Sequence, residues 1–320
     1  MVIKEILRFS KIMLLVLVII GCVGCNNKNN GNKSNNDDRS LDTTNIVEDI
    51  SDNIGEVFTQ EDNKDDLYNS LIDSAGTSLQ ARIKVPQGYS RVQVEKGSFT
   101  DFVRNYPMKE HESKVLLYNG NEKGNQDAHV AVFDLPIEEY DLQQCADSIM
   151  RMYAEYYWNS KVYDKISFHF VSGFDAKFSK WMQGYNIKVS GNSVNWVSDS
   201  SCNSSYESFK KYMRMVFNYA STLSMDKESK EIEVSDIHVG DIFIKGGSPG
   251  HVVMVADVCV NGDGKKAFLL AQGYMPAQQF HVLKNPNSED GIWYYEDEIE
   301  YPFRTPEYSF DEGSLKRLSY

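Results

Sequence analysis

The 320-residue sequence is 41% hydrophobic, 12% aromatic and 25% charged, an ordinary globular composition with enough apolar material for a sizeable core. Its formal charge is −13, from 33 basic and 46 acidic residues, so the surface as a whole repels nucleic acid and anionic lipid headgroups, and neither is expected as a ligand.

The first residues read as a targeting signal. Lys4, Arg8 and Lys11 precede an apolar run from Ile12 to Ile20, which ends in Gly21-Cys22-Val23-Gly24-Cys25. The run is too short to span a bilayer as a mature helix. A small residue directly before a cysteine at this point looks like a bacterial lipobox, in which the thiol is acylated and the signal removed. Ile19, Ile20 and Gly21 before Cys22 fit that pattern better than Cys22, Val23 and Gly24 before Cys25, with Cys25 the alternative. Residues 1–21 are therefore expected to be a signal peptide. Residues 22–78 follow as lipid anchor and Asn/Asp/Ser-rich tether, too poor in apolar groups to offset their chain entropy. Residues 79–320 form one globular domain. The expected location is the cell membrane or surface, extracytoplasmic, with membrane lipid as a partner through the acylated cysteine. Cys145, Cys202 and Cys259 remain, an odd number that argues against a disulfide framework.

Within the domain, Arg82 to Pro86 alternates as a short strand, as does Arg91 to Glu95. Ser98 to Asn105 reads as a short helix capped by Ser98. Lys114 to Tyr118 and His129 to Phe133 are strands around an Asn/Gly-rich loop. The strongest helix runs from Asp141 to about Trp158, with Asp141 as N-cap and Cys145, Ile149, Met152 and Tyr156 on one stripe. A second long helix spans about Tyr206 to Leu223. The last third is β-rich: Asp241 to Lys245, His251 to Val260, Lys266 to Gln272 and Gln278 to Leu283, with an aromatic tail.

The chemistry concentrates in this last third and in the first long helix. Gly246 to Ala256, GGSPGHVVMVA, is a glycine-rich turn that delivers His251 to the mouth of an apolar strand. The start of a helix stabilises a thiolate through the macrodipole and unpaired N–H groups, and Cys145 lies near such a start. Those N–H groups, with Gln143 or Gln144, are candidates for holding an oxyanion. A two-residue turn at Gly262-Asp263 sets His251 opposite Tyr274 and makes Gln272 its diagonal neighbour, able to accept from the imidazole and fix its tautomer. A slip of one residue sends Gln272 to the other face. Asp257 is too far along the strand to contact His251. No cofactor is implied, and no metal: the histidines are scattered singly, and Cys22 with Cys25 is the only CxxC.

A helix opening with Cys, a strand opening with His, and a neighbouring strand with a polar residue form the order used by papain-like thiol hydrolases. Gly250-His251-Val252-Val253 resembles the Gly-His pair of the bacterial NlpC/P60 and CHAP groups. Over nearly the whole domain the sequence resembles a family of bacterial lipoproteins known as domain of unknown function 4846. The resemblance rests on Asp141 to Asp147 (DLQQCAD), Phe243 to His251 (FIKGGSPGH) and Leu269 to Gln278 (LLAQGYMPAQ). It implies no activity.

The expectation is thus an α+β domain of papain-like, NlpC/P60-type layout, its Cys-bearing helix packed on an antiparallel sheet. Cys145 would be nucleophile, His251 base and Gln272 orienting group. Gln144, Tyr274 and Gln278 would contact substrate. Its activity would be that of an amidase or peptidase on cell-wall peptides. The alternative is a non-catalytic module on the same scaffold that binds wall or another ligand.

Overall fold

A computed structural model describes residues 64–320. The signal, Cys22, Cys25 and most of the tether lie outside the described residues.

Fifteen strands occur among the described residues: β1 Tyr89–Arg91, β2 His129–Val132, β3 Ser167–His169, β4 Asp175–Lys177, β5 Tyr185–Ser190, β6 Ser193–Ser198, β7 Ser229–Glu231, β8 Ile242–Lys245, β9 His251–Asn261, β10 Lys266–Gln272, β11 His281–Leu283, β12 Tyr294–Tyr295, β13 Phe303–Arg304, β14 Ser309–Phe310 and β15 Leu315–Leu318. The helices that matter for the site are α1 Phe99–Arg104, α2 Cys145–Asn159, α3 Tyr206–Tyr219 and α4 Thr222–Lys227. The fold is α+β. Its main sheet runs β2-β11-β10-β9-β8-β15-β7, with β1 added beside β9 and β12 beside β10. Each of these pairings is antiparallel. No helix among the described residues is long and apolar enough to cross a membrane.

Strand β9 is central and buried from His251 to Cys259. Its near-continuous apolar sequence, HVVMVADVC, is what a strand covered on both faces requires. Helix α2 packs on it and on β10, while the aromatic tail packs against the sheet by stacking Phe303 on Phe243 at 4.3 Å. The charge inside β9 is matched. Asp257 is fully buried, with Arg91 Nε 2.7 Å from one carboxylate oxygen and Arg104 Nε 2.6 Å from the other. Helix α2 is itself buried from Ala146 to Glu155, so it is a core helix rather than one with a single inward stripe. Its Arg151 is paired with Glu155 at 2.7 Å.

Several sequence expectations are revised. Arg82 to Pro86 is not a strand: Leu79–Arg82 is a helical turn, because the Arg82 guanidinium is buried against the Gly76 carbonyl at 2.6 and 3.0 Å, and Ile83 makes a single bridge with Ile72. Lys114 to Tyr118 contributes only isolated bridges, Leu116 to Glu122 and Leu117 to Gln278. The predicted second long helix breaks at Ala220, which is extended, and Ser221 caps a new helix by accepting from Leu223 N at 3.1 Å. Packed structure also begins before Leu79, since Leu71 is buried and Lys84 N donates to the Leu71 carbonyl at 2.8 Å.

Helix α2 begins at Cys145, capped by Gln144, and not at a cap on Asp141. The Asp141 carboxylate is committed elsewhere, accepting from Ala277 N at 2.7 Å and Gln144 Nε2 at 3.0 Å. Asp147 Oδ2 reaches back to accept from Gln144 N at 3.1 Å, which fixes the helix start one residue before the thiol.

Candidate active site

Cys145 is the first helical residue of α2, nearer the helix end than the sequence indicated. His251 is the first residue of β9, delivered by the glycine turn. Gly247 there has φ 108°, a backbone conformation that side chains disfavour. The two residues line one cavity of about 320 Å³, together with Gln144, Asp147, Tyr274, Met275 and Tyr308. The break between α3 and α4 brings Ala220 and Thr222 to its wall. A larger cavity of about 680 Å³ is lined by Tyr295, Asp297, Glu298 and Tyr301, with no thiol and no histidine.

Two opposed influences act on the thiol. Burial pushes Cys145 up, to about 11, and the Asp147 carboxyl adds to the rise. Backbone N–H groups of Ala146, Val252 and Cys145 itself pull the other way. Burial likewise presses His251 down to about 4, against a hydrogen bond with Gln272 that favours the charged form. The imidazole ring lies between Tyr274 and Tyr308, with centroids 4.6 and 4.9 Å away. Thiol and imidazole are therefore both uncharged in the resting protein at neutral pH. Asp147 is raised to about 8 by burial and is a neutral acid there as well.

Gln272 Oε1 lies 2.7 Å from His251 Nε2. The expected orienting contact is present, although the strand register does not follow the two-residue turn. Near the turn Lys266 pairs with Val260 and Ala267 with Cys259, one residue out from the prediction. A bulge between Leu269 and Leu270 removes the offset, so Ala271 pairs with Met254 as predicted and Gln272 reaches the face of His251. Beyond Gln272, Gly273 makes a close approach to α2 possible, for a Cβ there would stand 2.8 Å from the Gln144 carbonyl oxygen and 2.4 Å from Ser148 Oγ.

Of the remaining expected site residues, Gln144 and Tyr274 line the cavity. Gln278 does not: it is buried, its Nε2 has no hydrogen-bond partner, and its backbone bridges Leu117. Gln143 is likewise buried, both its side-chain polar atoms unpartnered. Sequence reasoning missed His281, which pairs directly with Gln272 across β10 and β11, and the pair formed by Lys123 and Glu307 at 2.6 Å. His281 was reachable from strand pairing; Lys123 and Glu307, in separate loops, carry no local signal. Among the described residues no group of three or more His, Cys, Asp or Glu could hold a metal ion. Cys145, Cys202 and Cys259 are all free.

Fold and site define an α+β domain with a thiol and an imidazole on a common cavity. The family model described as Domain of unknown function (4846) matches residues 79–317, and the chain belongs to that family. No curated protein and no solved structure matches it.

Proposed function

We propose that the protein is a thiol hydrolase, an amidase or peptidase of papain-like layout. It is held outside the cytoplasm by an acylated Cys22 or Cys25 and acts on cell-wall peptides. The observation that carries this reading is the shared cavity, lined both by a half-buried thiol at a helix start and by an imidazole whose Nε2 is bonded to an amide.

In the reaction Cys145 Sγ adds to the amide carbonyl carbon as His251 Nδ1 takes the thiol proton. The proton passes to the departing nitrogen as the C–N bond breaks, leaving a thioester. Water then adds to the thioester carbonyl, giving a proton to His251 Nδ1, and the C–S bond breaks to release the acid as that proton passes to the leaving sulfur and regenerates the thiol. Negative charge on the carbonyl oxygen develops beside the first-turn N–H groups of α2, which have no partner within the helix. Because the resting pair is uncharged, His251 acts as a general base on the thiol rather than as half of a standing ion pair. Gln144 and Tyr274 offer polar contacts to the substrate.

Digestion of purified wall fragments tests this. Wild type should release new amine ends, and Cys145→Ala should lower the rate by roughly 10³-fold or more. Equal rates would end the reading. A second reading, a non-catalytic binding module on the same scaffold, is favoured by one observation: burial holds the thiol in its unreactive form. Binding of fragments by wild type and Cys145→Ala alike, with no cleavage, selects that alternative.

A further inference from the structure

On the far side of Gln272 from His251 lie two groups that can only accept a hydrogen bond from it. Gln272 Nε2 stands 2.8 Å from Glu307 Oε2 and 3.5 Å from His281 Nε2. Glu307 is held at 2.6 Å by Lys123 Nζ, which also donates to the Asn125 carbonyl at 2.9 Å, and a carboxylate so paired accepts without donating. His281 Nδ1 is 2.8 Å from the Gln279 carbonyl oxygen. A carbonyl cannot donate, so Nδ1 carries the ring proton and Nε2 presents a lone pair. Burial, and then Lys123, press His281 down to about 3, so it remains neutral at neutral pH.

Both neighbours thus demand an N–H from the Gln272 side chain, and only its NH2 end supplies two. The carbonyl end is turned to His251, and the imidazole Nε2 has to donate to it. Nδ1, which has no hydrogen-bond partner among the described residues and belongs to a residue lining the cavity, is left with its lone pair free. A reversed amide would put an oxygen against the Glu307 carboxylate and an NH2 group against the imidazole N–H.

We propose that Glu307, held by Lys123 and seconded by His281, is a positioning residue: it fixes the direction of the Gln272 amide and thereby the tautomer that gives His251 a basic nitrogen for Cys145. Its meaning rests on the thiol-hydrolase reading, but the hydrogen-bond direction it asserts does not depend on turnover.

Long-range nitrogen–proton spectra of the full chain at neutral pH read the tautomer directly, with the His251 signals assigned by their loss in His251→Gln. Wild type should carry the proton on Nε2. In Glu307→Gln the new amide can donate as well as accept, so the Nδ1–H form appears. Iodoacetamide labelling of Cys145 then slows about tenfold, less than the 10²-fold or more that removing a general base costs. Glu307→Asp keeps an acceptor-only group and should restore the Nε2–H form. A wild-type proton on Nδ1, or a tautomer or labelling rate unmoved in Glu307→Gln, would overturn the proposal. The expected tautomers together with no cleavage of wall fragments would refute the hydrolase reading and leave the hydrogen-bond direction standing.

Discussion

The backbone N–H of Val252, one residue past His251 on strand β9, favours the thiolate of Cys145 at the start of helix α2. The sulfur is supported by main chain from both elements. A proton leaving it enters a setting already supplied with donors, although burial opposes the charge.

Labelling of Cys145 should reflect this balance. With the thiol at about 11 and the imidazole at about 4, thiolate alone would make the iodoacetamide rate climb tenfold per pH unit across the neutral range. If His251 acts as a base, a floor that does not vary with pH appears above about pH 4, and His251→Ala removes it. Identical rates for the two proteins at pH 7 would sink the general-base role.

Gly273→Ala should separate the two halves of the site. The added methyl group would meet the Gln144 carbonyl oxygen, which accepts from Ser148 N in the first turn of α2 at 3.0 Å. We expect a loss of about 1–3 kcal/mol in urea unfolding and a larger fractional loss of Cys145 labelling. Adding Ser148→Ala relieves only the hydroxyl contact, so full recovery in the double variant would contradict the backbone clash.

Stability should peak near pH 6.5. Asp147 is raised to about 8 from 3.8, so between those values the folded state holds a proton that the unfolded chain does not, and stability rises as pH falls through 8. His251 and His281 are depressed, to about 4 and about 3 from 6.5. Below 6.5 the unfolded chain takes up their protons and the folded state does not, and two histidines outweigh one carboxyl until pH approaches 4. These three groups alone give a slope of about 1.4 kcal/mol per pH unit on either side, with opposite signs, and His129 and His238, also depressed by burial, steepen the acid side. Urea unfolding from pH 5 to 8.5 measures it. Asp147→Asn should flatten the alkaline limb, and an unchanged limb would show that another group sets it.

Arg104→Met should cost about 3–5 kcal/mol, because it strips a partner from a carboxylate that has no access to water. Coupling it with Asp257→Leu and Arg91→Met, which removes every charge of the cluster, should recover most of the loss. A triple variant no more stable than Arg104→Met would mean that the arginine acts through packing alone.

The elements that carry the site were readable because their signals are local. The GGSPGH turn and the apolar run after it located His251 at the strand entrance, and DLQQCAD located a helix start beside Cys145. The exact start was not readable, since Asp141 is a good cap in isolation and its carboxylate is drawn off by the Ala277 N–H, distant in sequence, as well as by Gln144 Nε2. The diagonal pairing of His251 with Gln272 was reached through a register that fails near the turn and is restored by a bulge next to Ala256. No alternation pattern announces such a bulge, because β9 is apolar on both faces there. Gln278 was assigned to the ligand from its place in the sequence, but its backbone joins Leu117 and its side chain is buried away from the cavity lining. Glu307 and Lys123 were invisible for a different reason: a charge pair between two loops leaves no periodicity to read.

Strand β15 lies between β7 and β8 in the sheet, and Glu307 comes only a few residues before it. A nascent chain therefore presents Cys145, and later His251 and Gln272, long before it possesses the residues that seat β8 and orient the Gln272 amide. Strand β8, which leads into the glycine turn before His251, thus gains its second neighbour only when Leu315 and Lys316 pair with Phe243 and Ile242, so the candidate site is closed by the last strand of the sheet.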